Sequence, residues 1–209
     1  MREDQWRSTS WYIDGTFGKC PHLFHQLITF HAEFPGNDPD DDTTWVFPCI
    51  WVLLTGKRGE MYEKMLSELN SLGTFSPTRI MTDFEQGLRM AINNNFYGCT
   101  LSGCYFHFSN AVKKKTFEKH RIAYLTLVVI GGAQVYSPTR IWVRRLTGLA
   151  FVPTDQVVDS FAFLMERMPD DLVTELEDVI LYFQKVWVSG VSVAGRNRGC
   201  AMVPPPTLM

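Results

Sequence analysis

Asp14 and Asp83 are the two residues whose setting most invites chemistry. Asp14 interrupts the aromatic and β-branched stretch Trp11-Tyr12-Ile13-Asp14-Gly15-Thr16-Phe17, and Asp83 follows directly on Arg79-Ile80-Met81-Thr82. A carboxylate in such surroundings is costly to bury unless it is paired or bound to a metal ion. Where a sheet alternates with helices, strand ends are also where ligand-binding groups gather. If the two strands are neighbours, their spacing puts the carboxylates about 5–8 Å apart in one crevice. Two hard oxygen donors in such a place suit Mg2+ or Mn2+. Metal ions held that way activate a water or a 3′ hydroxyl and stabilise the leaving oxygen of a phosphodiester. Each acid also has an ordinary role open to it. Asp14 could bond the Gly15–Thr16 turn. Asp83 could cap the helix that follows, with Gln86 completing a capping box.

Cys104-Tyr105-Phe106-His107 is a C-x2-H pair between a short strand and a helix. A zinc finger needs a second pair at suitable spacing, and none follows. A buried thiol beside a histidine at the helix start is the expected arrangement, and His107 could reach a phosphate next to the Asp83 crevice. Lys113-Lys114-Lys115, with Lys119, His120 and Arg121, is the most basic stretch, and Arg140, Arg144 and Arg145 form another. Either could meet a DNA backbone or line a solvated helix face.

The elements that must position these residues follow from periodicity. Trp11–Phe17 and Leu23–His31 read as strands, and the polar turn 35–42 precedes Trp45–Leu54, a continuous apolar run fit for a central strand. Short connections imply an antiparallel meander. Met61, Met65, Leu66, Leu69 and Leu72 then recur at helical spacing. Residues 78–82 form a strand, 84–93 a helix striped by Leu88, Ala91 and Ile92, 99–103 a strand and 106–119 a helix. The order β-β-β-α-β-α-β-α implies an α/β fold with a mixed five-stranded sheet and flanking helices. Ile122–Ile130 reads as a buried segment too short to span a membrane. Ser137-Pro138, Pro153-Thr154 and Pro169-Asp170 each open a helix. The stretch from Ser189, with three consecutive prolines, reads as an extended tail.

A net charge of −2 leaves nucleic-acid binding to local patches rather than to an overall field. The five cysteines are scattered and odd in number, and charged residues crowd the first turn in place of a secretory leader. A reducing interior, nucleus or cytoplasm, is the expected location, and secretion is not.

Several segments together resemble the MULE (Mutator-like element) transposase domain, in the animal version often found beside FLYWCH-type zinc fingers. They are Trp11–Phe17 followed by Cys20-Pro21-x-Leu23-Phe24-x-Gln26-Leu27; Pro77-x-Arg79-Ile80-Met81-Thr82-Asp83-Phe84-Glu85; Gly103-Cys104-x-Phe106-His107-Phe108; and Leu149-Ala150-Phe151-Val152-Pro153. Tyr182-Phe183 with Trp187 fits a later helix of the family. The resemblance implies a ribonuclease H-like fold and DDE-type DNA strand cleavage and transfer. Asp14 and Asp83 would then be the first two metal-binding catalytic acids, and Cys104 and His107 the C-x2-H element beside the active site. Residues 9–120 would form the core, 121–188 the helical insertion before the third acid, and 189–209 an irregular, truncated tail. DNA is the implied partner, and a homo-oligomer is consistent with related transposases. The family's third acid is a Glu in a stretch reading roughly Thr-Asn-Asn-x-x-Glu, and no such stretch occurs before Met209. Glu166, Glu175, Glu177 and Asp178 match nothing catalytic. Residues 122–137 also depart from the charged helix expected there, and no FLYWCH module is expected before Met1. The expectation is a C-terminally truncated, inactive fragment, or else a domesticated remnant that only binds DNA or protein.

Overall fold

A computed structural model describes residues 8–16, 18, 20–36, 43–130 and 133–189. The tail 190–209, most of the Asp-rich turn (37–42) and Gly131-Gly132 lie outside the described residues. The chain divides into two compact units, one up to Ser102 and one from Gly103.

The first unit is built on a five-stranded mixed sheet of order β3-β2-β1-β4-β5. Its strands are β1 (Ser10–Thr16), β2 (Gln26–Pro35), β3 (Thr44–Leu54), β4 (Arg79–Thr82) and β5 (Thr100–Gly103). β1–β2 and β2–β3 pair antiparallel, giving the expected meander, and β4 joins β1 in parallel. The parallel pairing needs a crossover, and helix α1 (Gly59–Leu72) supplies it, while α2 (Gln86–Asn95) connects β4 to β5. Strand alternation separates two faces. Trp11, Ile13, Ile28, Phe30 and Ile80 point into the core, against Tyr62, Met65, Leu66 and Leu69 of α1 and Leu88, Ala91 and Ile92 of α2. The Trp11 ring meets Phe30, Phe75 and Phe96 edge-on, with centroids 5.4–6.1 Å apart. The stripe predicted for α1 holds except at its end, where Leu72 is exposed and Tyr62 takes an unpredicted place in the core.

β3 is not central. It is the sheet's edge, and Trp45, Val46, Phe47, Trp51 and Leu53 are exposed along it. An unbroken apolar run fits a strand covered on both faces, but here it marks an edge strand with incomplete cover. Pro48 is tolerated because an edge strand has one row of unpaired donors, and the register slips beside it, between Phe30 and His31 of β2.

In the second unit, α3 (Tyr105–Leu125) runs past the predicted end, with non-helical dihedrals at His120. A two-stranded ribbon follows, β6 (Leu127–Ile130) with β7 (Ala133–Tyr136). The apolar run 122–130 is therefore no buried segment: it splits between the last turn of α3 and β6, and Ile122, Leu125 and Leu127 are exposed. Next come α4 (Pro138–Gly148), α5 (Val157–Glu166), α6 (Asp170–Glu175) and α7 (Glu177–Phe183). Ser137 caps α4 as its sequence predicts, accepting from the Arg140 N–H at 3.2 Å with Pro138 in the first turn. Phe108 packs edge-on against Trp187 and Phe183, and Phe183 stacks on Phe161. Arg140 lies over the Tyr136 ring at 3.8 Å, tying β7 to α4.

Candidate metal-binding site

The parallel register of β1 and β4 runs from Ser10 beside Arg79 to Ile13 beside Thr82. Asp14 and Asp83 are the next residues on the two strands. Asp14 still pairs with Thr29 of β2, so its orientation is set by the strand. Trp11 and Ile13 face the core, so Tyr12 and Asp14 face the other way, and the same alternation on β4 sends Arg79 and Met81 to that face, with Asp83 one residue past the strand's end. Asp14 is exposed and Asp83 half-buried.

Asp83 does not cap α2. The residue preceding that helix is Glu85, with no side-chain cap bond. Asp83 instead closes a tighter turn, its Oδ1 accepting the Glu85 backbone N–H at 3.0 Å. Sequence reasoning missed what stands behind this turn. The Tyr62 hydroxyl donates to Glu85 Oε1 at 2.7 Å, and Gln26 Nε2 donates to the Tyr62 hydroxyl at 2.8 Å and to the Gly56 carbonyl at 2.9 Å. Burial, and then the Glu85 carboxylate it serves, push the Tyr62 phenol well above its ordinary range, even though the Gln26 bond acts the other way. Signals for both residues were present. Gln26 falls on the buried parity of β2 with Ile28 and Phe30, and Tyr62 falls on the helical stripe of Leu66 and Leu69.

A second polar group shares the face of Asp14. Tyr12 donates to Glu33 Oε2 at 2.8 Å, and Arg79 lies 3.7 Å from the same carboxylate while donating to Ser10 Oγ at 3.0 Å. Burial works against the Glu33 charge, but hydrogen bonds from Tyr12, Thr44 and Ser10 and the Arg79 charge hold it below the usual carboxylate range.

The other predicted residues lie at the start and along the length of α3. Cys104 immediately precedes the helix and is a half-buried free thiol without a cap bond; His107 sits on the first turn, its ring edge-on to Phe106. The three lysines do not form one surface. Lys114 is exposed, Lys113 half-buried, and Lys115 is held by Glu118 at 2.7 Å with Asp178 at 3.9 Å. Among the described residues, no three His, Cys, Asp or Glu side chains are grouped to hold a metal ion, and no helix is long and apolar enough to cross a membrane.

Residues 10–111 match the family profile of the MULE transposase domain. The resemblance read from the motifs is borne out over that segment. The MULE match takes in all five strands, both acids, Cys104 and His107, and it ends before Lys113. The matched segment carries the whole mixed five-stranded sheet. No curated protein matches the chain.

Proposed function

We propose that Asp14 and Asp83 are the first two acids of a DDE-type site, and that this chain binds Mg2+ or Mn2+ weakly without cutting DNA. The observation carrying the reading is the parallel β1–β4 register, in which Asp14 and Asp83 directly follow the last paired residues, Ile13 and Thr82. Neighbouring strands lie roughly 4.8 Å apart, close enough for two carboxylates to share a cation. The donor chemistry suits the ion, since Mg2+ commonly keeps several waters and takes only one or two protein carboxylates. When bound, the ion would supply charge neutralisation at a phosphodiester oxygen. The side chains would hold it and orient the backbone of a DNA strand. Residues 9–120 form the catalytic portion on this reading, and 121–188 the inserted region. DNA is the partner in the nucleus, with Lys113 and Lys114 available to phosphate.

A DDE mechanism uses three acids and this reading assigns two, so no strand cleavage is expected. The test is an Mn2+ titration of the purified chain alongside a nicking assay on supercoiled DNA. Weak binding, lost in Asp14→Asn and in Asp83→Asn, with no nicking, is the expected outcome. Binding that survives both substitutions would refute the site. Robust nicking abolished by Asp14→Ala would keep the site and overturn the loss of activity.

A further inference from the structure

We propose that Gln26, Tyr62 and Glu85 form a positioning relay that fixes the Asp83 carboxylate for cation binding. The inference rests on the reading of Asp83 as a ligand and adds what orients it. Asp83 lies just past the end of β4, where the sheet no longer holds it. Its Oδ1 is held by the Glu85 N–H, which leaves Oδ2 as the oxygen to face a cation. The Glu85 side chain in turn accepts from Tyr62.

Proton direction along the relay is fixed by its members. The Gly56 carbonyl can only accept, and the Tyr62 proton is committed to Glu85. The Gln26 amide must therefore turn its NH2 toward both. That orientation leaves Gln26 Oε1 buried without a hydrogen-bond partner. Gln26 and Tyr62 are both fully buried. The Tyr62 ring is also confined, because a Cβ at Gly87 of α2 would stand 3.3 Å from its Cδ2. A buried phenol and amide with one unmet oxygen stabilise a core less well than apolar side chains of similar size would. What the arrangement gains is a rigid line from β2 through α1 to the turn that carries Asp83. Glu85 serves as a support and not as a third ligand, since no three such side chains group around a cation position among the described residues.

The relay is tested on the full chain with Tyr62→Phe, which keeps the ring and removes the donor, and with Glu85→Gln and Glu85→Leu. Two quantities are read: Mn2+ affinity, and hydrogen-exchange protection of the position-85 amide in the metal-free protein. Tyr62→Phe should weaken Mn2+ binding about tenfold, as loss of a ligand's supporting hydrogen bond does, and speed exchange at that amide while thermal unfolding stays cooperative. Glu85→Gln, which keeps an acceptor for the phenol, should retain protection that Glu85→Leu loses. A folded Tyr62→Phe with unchanged affinity and protection overturns the relay and leaves the cation site standing. An unsubstituted chain that binds no Mn2+ overturns both.

Discussion

Tyr12 and Glu33 are joined across the β1–β2 pair by a 2.8 Å hydrogen bond, two residues off direct register, since Glu33 stands opposite Ser10. Diagonal cross-strand pairs of this kind reach each other only when the donor is long. The bond orients the face on which Asp14 lies, and the carboxylate it engages is ionised well below neutrality. Tyr12→Phe should cost about 1.5–3 kcal/mol, the usual worth of a hydrogen bond to a charged group. Urea denaturation followed by tryptophan fluorescence measures this, and a loss under about 0.3 kcal/mol would mean the pair is ornamental.

Acid should loosen the second unit through Asp178. His120 Nε2 lies 2.9 Å from Asp178 Oδ1, and Lys119 stands 3.4 Å from Oδ2, so the irregular turn of α3 is tied to α7. Burial alone would raise the Asp178 value, but the His120 hydrogen bond and the Lys119 charge bring it below the ordinary range. A carboxyl group depressed by folding contributes stability above its unfolded value, and that contribution disappears as pH falls through the folded value. The unfolding free energy should therefore decline as pH falls below the ordinary Asp value of about 3.9, and decline less steeply in Asp178→Asn. Parallel pH profiles for the two proteins would remove Asp178 from the account.

Local signals carried much of this fold. The β1 and β4 strands, the α2 stripe and the Ser137-Pro138 start are each written in consecutive residues, and each was legible. The two acids stand out in the sequence as well, because an Asp beside Ile13 or Thr82 conflicts with its surroundings. What a single stretch of chain does not encode is its neighbours. The run Trp45–Leu54 has the composition of a covered strand, yet among the described residues no further strand lies beyond it. The run 122–130 is apolar but for Thr126 and is divided between helix and ribbon all the same. Tyr62 and Gln26 are separated by 36 positions, so their hydrogen bond could be guessed only as two polar residues on apolar stripes.

Ser137 gives a local check on the second unit. Its hydroxyl satisfies one of the orphan donors at the start of α4. Ser137→Ala should cost about 1 kcal/mol and Ser137→Asp, which keeps an acceptor, much less. Thermal melts of the two variants decide it, and equal losses would show that the cap bond is not what matters at this position.

The β3 edge sets the solution behaviour of the chain. Trp45 and Trp51 are each more than half exposed, and Phe47 lies between them on the same strand. Below them, Ile50, Val52, Met61, Met65 and Leu69 line a groove between β3 and α1. An exposed apolar edge strand with unpaired backbone groups is a template for association. Pro48 and the register slip beside it interrupt that template but leave Trp51 on the stretch that holds no proline. Trp51→Lys should therefore reduce hydrophobic-dye fluorescence and shift the chain toward monomer in size-exclusion chromatography. Because the side chain is 58% exposed, its removal should change stability by no more than about 0.5 kcal/mol. Unaltered dye binding and elution in a folded Trp51→Lys protein would assign the association, if any occurs, to a surface other than this edge.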